Sequence, residues 1–256
     1  MSVRTLAPVL EAVDGFLTFV GESALILADS VRRMVRPPFE VAETVTQMAF
    51  IGAASVPVVA LTGFFSGAVM SLYLTQFLTQ YGATSFVGAT LGLAITREIG
   101  PVIAGIVVAA RCGSAMAAQI GTMAVTEQID ALKMLSVHPT NYLVLPRIYA
   151  AVTMMPVLAL VCIWSGMAGG YLVAISGGVP TGAFLQSLAQ YVEPSDFLLG
   201  MAKTPFFGLI IATVASQQGL RTKAGAVGVG RSTTNTVVLS IVLIYVANFL
   251  LANWFF

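Results

Sequence analysis

Extended apolar stretches, separated by short polar ones, dominate this sequence. Five of them reach or exceed the roughly 20 apolar residues that a helix needs to cross a bilayer. They lie at about residues 45–78, 86–121, 143–176, 197–218 and 233–256. The pattern predicts an all-α integral membrane protein with five transmembrane helices.

Residues 1–36 follow a different pattern. Apolar residues recur every three or four positions from Leu6 to Val31, which is the period of an amphipathic helix. Such a helix is expected to lie in the membrane interface rather than to cross the membrane. Packing against a soluble partner is the alternative. Pro37–Pro38 is expected to end the helix, so that the five-span domain covers residues 37–256. The polar stripe opposite the apolar one consists of Glu11, Thr18, Glu22 and Asp29.

The composition agrees with a membrane protein. Hydrophobic residues make up 57% of the chain and charged residues 9%, whereas soluble domains carry about 25% charged residues. A net charge of +1 offers no field for nucleic acid. Cys112 and Cys162 lie in apolar stretches and indicate buried thiols rather than a disulfide. A metal site built on the single histidine, His138, is not expected.

The distribution of basic residues predicts the topology. The loops at residues 79–85 and 177–196 contain no lysine or arginine, and the other set of loops contains most of them. Because cytoplasmic loops are enriched in basic residues, the N-terminus and segment 122–142 are predicted to be cytoplasmic, and the C-terminus lies outside. The basic residues of the cytoplasmic set are Arg32, Arg33, Arg36, Lys133, Arg147, Arg221, Lys223 and Arg231.

Segment 122–142 is predicted to contain a short amphipathic helix between two spans. Thr126 is expected to cap its N-terminus. An apolar anchor flanked by acidic groups fits a groove in a soluble motor subunit. A solvated helix with no partner is the alternative. The apolar face consists of Val125, Ile129 and Leu132, and the opposite face of Glu127, Asp130 and Met134.

Three charged residues lie in apolar surroundings and are functional candidates, because a charge inside a span is costly. Lys203 is placed to pair with Glu98 and so to join spans two and four. In the functional interpretation Arg97 and Lys203 meet a phosphate headgroup at the rim of an apolar pocket. The two interpretations are compatible.

An apolar stripe at helical spacing on the first span is the candidate wall of that pocket. Ordinary helix packing explains such a stripe as well. The stripe consists of Met70, Leu74, Phe77 and Tyr81.

Two further features concern a glycine-rich segment and possible helix bends. Residues 225–232 read Gly-x-x-x-x-Gly-Arg-Ser, close to a phosphate-binding loop, but Arg231 replaces the required lysine and membrane helices flank the segment. A tight cytoplasmic turn is expected there, not a nucleotide site. Pro57 and Gly63 are expected to bend the first span, and the second is expected to break near Gly100–Pro101.

The sequence resembles the MlaE (YrbE) family, the permease subunits of MCE-type ABC lipid transporters, to which the plastid TGD permease is related. The resemblance covers about residues 10–255. Gln217–Gln218 departs from the family, in which many members carry aromatic or small residues there. The matching runs are Arg97–Pro101, Gly121–Met123, Glu127–Leu132, Asp196–Lys203 and Gly225–Thr234.

The resemblance implies a phospholipid transporter subunit of the bacterial inner membrane. It implies an amphipathic elbow helix, five spans and a homodimer on two cytoplasmic ATPase subunits. ATP binds to those subunits, so this chain is expected to be neither an enzyme nor a cofactor-binding protein. A periplasmic MCE-domain protein, and in some cases a STAS-domain protein, are further implied partners. The residues that correspond to the family's coupling motif are Glu127, Gln128, Ile129, Asp130, Ala131 and Leu132.

Two other functions are open on the residues alone. An ion-coupled carrier would use Arg97, Glu98 and Lys203 without an ATPase. The absence of an internal repeat is unlike many such carriers. A membrane anchor that transports nothing is the other alternative, and the charges inside the spans argue against it.

Overall fold

The structure is a computed structural model and describes residues 3–33 and 40–255. The described residues form helices and short connections, with no strand. The expected helix stop at Pro37–Pro38 and the basic Arg36 lie outside the described residues. The helices are α1 (Val3–Arg33), α2 (Val41–Ile51), α3 (Val56–Gln80), α4 (Val87–Ala94), α5 (Gly100–Val108), α6 (Ser114–Val125), α7 (Gln128–Met134), α8 (Leu145–Ser176), α9 (Thr181–Tyr191), α10 (Pro194–Ala202), α11 (Thr204–Leu220) and α12 (Gly225–Phe255).

Five segments of the described chain are long and apolar enough to cross a membrane. The prediction of an all-α membrane protein with five spans is therefore confirmed. Each span begins earlier than predicted, because polar residues extend the helices beyond their apolar centres. The segments are span 1 (Val41–Gln80), span 2 (Thr84–Val125), span 3 (Thr140–Ser176), span 4 (Pro194–Leu220) and span 5 (Gly225–Phe255).

Proline positions explain the irregularities of spans 1 and 2. Span 1 is interrupted by a turn at residues 52–55, and Pro57 follows in the first turn of α3, while the helix continues through Gly63. The predicted break near Gly100–Pro101 is wrong, because helical structure continues through both residues. A π-helical turn at Ile95–Ile99 precedes them. It relieves the clash that a proline ring makes with the carbonyl four residues earlier.

Two predicted loops are partly helical. The loop predicted at residues 177–196 contains α9, an amphipathic helix that buries Phe184. Residues 225–232 are not a tight turn but the first two turns of α12, so that expectation is wrong. The turn lies just before, where Ala224 has a φ of 68°. An added Cβ at Gly228 would overlap the carbonyl of Lys223, so glycine lets the helix begin directly after the turn.

Spans 1 and 3 approach closely because glycines line their contact. An added Cβ at Gly67 would overlap the carbonyl oxygen of Gly166, and one at Gly169 would overlap that of Phe64. Small residues of this kind let membrane helices pack backbone against backbone. The main core continues from this seam through spans 2 and 4. Its large buried side chains include Ile51, Met116, Met155, Leu158, Phe207 and Ile211.

Helix α1 packs against the end of span 4 through part of its polar stripe. Glu22 Oε2 accepts a hydrogen bond from Gln217 Nε2 at 2.7 Å and lies 3.3 Å from Arg221 Nε. Leu17 and Leu25 stay exposed, as an interfacial helix requires. Its placement in the membrane interface remains a prediction.

We expect Gly67→Val to destabilise the protein by about 3 kcal/mol or more, because the added atoms meet backbone that cannot move without separating spans 1 and 3. Thermal unfolding of the detergent-solubilised protein measures this. Gly230→Ala is the control, since nothing lies within 4 Å of a Cβ at Gly230 in α12. It should be neutral or stabilising by up to about 1 kcal/mol. Equal melting of the Gly67→Val and native proteins would contradict the close packing.

Candidate functional site

Lys203 lies in the short break between α10 and α11 and is fully buried. Its Nζ is 2.6 Å from Glu98 Oε1. The ion pair that the sequence predicts between spans 2 and 4 is therefore present. Lys203 also donates to the carbonyl oxygen of Arg97 at 3.1 Å. Pro101 lacks the N–H that an α-helix would direct at this carbonyl, so the lysine supplies a donor where the helix has none.

Asn248 of span 5 completes this polar cluster. Its Nδ2 donates to Glu98 Oε2 at 2.6 Å, and its Oδ1 is 3.5 Å from Lys203 Nζ. One oxygen of the Glu98 carboxylate thus contacts Lys203 of span 4, and the other accepts a hydrogen bond from Asn248 of span 5. The sequence analysis missed this residue. The available signal was an amide side chain among the apolar residues of span 5, since a polar side chain inside a span usually bonds across helices.

Arg97 forms a second ion pair between spans 2 and 4. Its Nε donates to Asp196 Oδ1 at 2.9 Å, and a second guanidinium nitrogen contacts the same oxygen. Asp196 is buried, and its Oδ2 accepts the backbone N–H of Glu193 in a capping box at the start of α10. Arg97 and Glu98 therefore engage different partners, as expected for adjacent helical residues that point about 100° apart.

These pairs leave only part of the cluster accessible. The side chains of Arg97 and Glu98 are 38% and 39% exposed, whereas Lys203 is enclosed. In this conformation Arg97 and Lys203 each contact a carboxylate. Binding of a phosphate headgroup by both residues remains a prediction, and it requires at least Lys203 to become accessible.

An open groove of about 510 Å³ lies beside the cluster, between span 1 and Ile99 of span 2. Its apolar wall is formed by Phe65, Val69 and Tyr73, one helical turn apart on α3, with Met70 beside them. The hydroxyls of Thr62 and Ser66 lie among them. The groove is therefore mostly apolar, and Ile99, which lines it, directly follows Glu98 of the cluster in the chain.

The predicted apolar stripe only partly coincides with this groove. Met70 lines it, but Leu74 packs against the core around Phe184. Phe77 near the end of α3 and Tyr81 directly after it are exposed, with ring centroids 5.0 Å apart. The groove wall, which the sequence analysis missed, lies one residue earlier in the helical repeat. A role of the predicted stripe in lipid binding stays a prediction.

The second candidate site is α7, which lies between spans 2 and 3. Ile129 is buried against Ile120 and Leu143, and Leu132 packs beside it. Asp130 is exposed and lies 2.7 Å from Lys133 Nζ. The helix thus presents an acidic face outward from an apolar anchor. The exposed members of the predicted coupling motif are Glu127, Gln128, Asp130 and Ala131.

The predicted cap of α7 is wrong. Thr126 Oγ1 donates to the carbonyl of Thr122 at 2.8 Å, back into span 2. The N-terminal flanking residue is Glu127, whose φ of 61° turns the chain before α7 begins. The exposed Met134 and Leu135 follow at the other end of the helix, 87% and 74% exposed. They add an apolar surface beside the acidic face.

The segment after α7 is bonded to α1. A guanidinium nitrogen of Arg33 lies 2.8 Å from His138 Nε2, and Arg33 Nε donates to Asp29 Oδ1 at 2.7 Å. Because a guanidinium can only donate, His138 Nε2 is the acceptor in this contact. Burial raises the pKa of Asp29, but hydrogen bonds from Arg33 and Thr140 outweigh this effect and hold it below its ordinary value. Helix α1 is therefore hydrogen-bonded to the segment that follows α7.

We expect Glu98→Ala to lower the free energy of unfolding by about 3 kcal/mol, because it removes the carboxylate from a buried ammonium. Adding Lys203→Met should restore most of the loss, so that the two changes are strongly non-additive. Denaturation in detergent measures both. Asp130→Ala, at an exposed ion pair, is the control and should cost less than about 1 kcal/mol. Additive effects at Glu98 and Lys203 would contradict the coupling.

Comparison with known proteins identifies relatives over nearly the whole chain. Residues 44–254 match the family Permease MlaE. A probable ABC transporter permease protein of Rickettsia conorii is 43% identical over 94% of this chain and 93% of its own length. A probable ABC transporter permease protein of Synechocystis is 41% identical over 82% of this chain and 80% of its own length.

A plant protein is also similar. The chloroplastic protein Trigalactosyldiacylglycerol 1 of Arabidopsis thaliana is 37% identical over 91% of this chain and 67% of its own length. The family match covers most of the five-span domain, including the ion pairs of spans 2 and 4 and the helix α7. This chain belongs to the MlaE permease family.

Proposed function

We propose that this protein is the membrane-spanning subunit of an ABC transporter that moves phospholipid, with ATP bound and hydrolysed by a separate cytoplasmic subunit. The observation that carries the proposal is α7, a short helix with exposed polar side chains that is fixed to spans 2 and 3 by the buried Ile129. Relatives named as ABC transporter permeases support the same assignment.

The anchoring of α7 explains how a soluble motor moves the membrane domain. Ile129 packs against Ile120 at the end of span 2 and Leu143 at the start of span 3. A partner that displaces α7 must therefore displace these two ends as well, because a packed interior transmits motion rather than deforming freely. The bond between Arg33 and His138 extends the same displacement to α1.

The groove between spans 1 and 2 supports a lipid as the transported molecule. Its wall of Phe65, Val69 and Tyr73 suits acyl chains. Arg97, two residues before Ile99 in span 2, suits a phosphate if Asp196 releases it. The Arabidopsis relative is named after a galactolipid, trigalactosyldiacylglycerol. A mostly apolar groove with a few polar groups, here the hydroxyls of Thr62 and Ser66, is the pattern that an amphiphile requires.

A homodimer is part of the proposal, since one copy offers an open groove rather than an enclosed cavity. A second copy related by a two-fold axis would close it. We place the protein in the bacterial inner membrane with its N-terminus and α7 in the cytoplasm and its C-terminus in the periplasm. A periplasmic MCE-domain protein would exchange lipid at the outer mouth, and a STAS-domain protein is a further candidate partner on the ATPase.

The double reversal Glu127→Lys/Asp130→Lys should abolish co-purification of the ATPase subunit, because both acids are exposed on the face offered to it. The loss should exceed ten-fold, since two charge pairs at an interface change from attraction to repulsion. Size-exclusion chromatography of the permease alone checks that it stays folded.

Asp14→Lys is the matched control, because Asp14 is an exposed acid on α1 outside this face. It should retain the ATPase. If the α7 variant also retains it, the motor hypothesis fails. Lipid transport by the purified chain without any ATPase would instead favour an ion-coupled carrier.

Filling the groove should block transport without affecting assembly. We expect Val69→Trp to reduce ATP-driven lipid transfer between vesicles by about ten-fold, because the indole occupies space that an acyl chain needs. The ATPase should still co-purify. Leu172→Trp, at an exposed position on span 3, is the control and should transport normally. Normal transfer by the Val69→Trp protein would exclude this groove as the lipid path.

A further inference from the structure

Two further cavities lie around α1 and the ends of spans 4 and 5. One, of about 530 Å³, carries three basic residues, Arg221, Lys223 and Arg231. The other, of about 250 Å³, is almost wholly apolar. Phe19 of α1 lines both, so the two cavities are adjacent. Together they offer a cationic end and an apolar end.

The cationic end carries an excess of positive charge. Arg221 is offset by Glu22 at 3.3 Å. Lys223 and Arg231 have no acidic partner among the side chains that the structure describes. Both are exposed on the cavity side of the turn between α11 and α12. Two cations beside a cavity form a site for a phosphate or a similar anion.

Span 5 orders the chemistry along the two cavities. Arg231, Asn235 and Leu239 line the basic cavity at successive helical turns, and Leu243 lines the apolar one a turn farther on. From Arg231 to Leu243 the helix rises by about 18 Å. The side chains change over that distance from charged to polar to apolar, which is the order of the phosphate, ester and hydrocarbon groups in a phospholipid.

Two hydroxyl groups in the apolar cavity have no hydrogen-bond partner. Thr213 on span 4 is 7% exposed, and its Oγ1 has no partner; the same is true of Ser23 Oγ on α1. Both residues line the cavity. Buried hydroxyls are nearly always bonded, so these two indicate a polar group that enters an otherwise apolar space. The ester carbonyls of a glycerolipid are of this kind.

We propose that these cavities hold one anionic phospholipid, with its phosphate at Lys223, Arg231 and Arg221, its ester region at Thr213 and Ser23, and an acyl chain beneath α1. Such a lipid would fix α1 to spans 4 and 5 as a resident molecule, at residues that do not line the proposed transport groove. The proposal does not depend on transport, and its test measures none.

The test uses quenching of a tryptophan by lipids with brominated acyl chains in reconstituted bilayers. Trp164→Phe and Trp254→Phe remove the native indoles, and Leu243→Trp places a reporter in the apolar cavity. We expect brominated phosphatidylglycerol to occupy the reporter site about ten-fold more favourably than brominated phosphatidylcholine. The same background with Leu172→Trp, at an exposed position on span 3, should show no preference for either lipid.

Lys223→Gln/Arg231→Gln should reduce that preference to about one-fold, whereas Arg32→Gln, at an exposed residue outside the cavities, should leave it unchanged. An unchanged gel-filtration profile of each variant shows that it is folded. Equal quenching by the two lipids, or a preference that survives the double change, would overturn the proposal.

A final arm separates a lipid from a free anion. Glycerol phosphate, which lacks acyl chains, should not displace the brominated lipid when present at the same concentration. Complete displacement under those conditions would show a site for free phosphate and would overturn the lipid assignment.

Discussion

The compensation of charge inside an apolar bundle determines how spans 2, 4 and 5 lie relative to one another. A lysine at the centre of a membrane helix costs about 2.5–3.5 kcal/mol on insertion scales. Contacts of Lys203 with Glu98, Asn248 and the carbonyl of Arg97 offset this cost. Because these groups come from spans 2 and 5 and the lysine belongs to span 4, the contacts that compensate the charge also fix the arrangement of the helices. The break between α10 and α11 places the lysine where it reaches all of them.

The π-helical turn at Ile95–Ile99 is the source of this geometry. It tolerates Pro101, leaves the carbonyl of Arg97 accessible to Lys203, and directs Arg97 and Glu98 to separate partners on span 4. Ile99 at its end lines the open groove. A local irregularity in one helix thus brings together the ionic cluster and the apolar groove. Since π turns occur frequently at functional sites, its position agrees with the proposed lipid path.

The sequence predicts those features that depend on local composition. The five spans follow from the length of apolar stretches, and the Glu98–Lys203 pair follows from the scarcity of charges within them. The partner of Arg97 does not follow, because Asp196 lies in a polar stretch where an aspartate needs no explanation. The helical state of residues 225–232 was also missed, since glycines there permit close packing against Lys223 rather than a turn.

Which face of α3 forms the groove depends on tertiary structure. In an almost uniformly apolar helix the stripes through Met70 and Val69 are equally hydrophobic, so their periodicity does not distinguish them. The distinction comes from Gly63 and Gly67, which lie against span 3 and thereby turn Val69 away from the core. The packing of spans 1 and 3 therefore decides which side chains a lipid meets. A displacement of span 3 through Leu143 beside α7 would act on the same contact, which gives α7 a structural route to the groove.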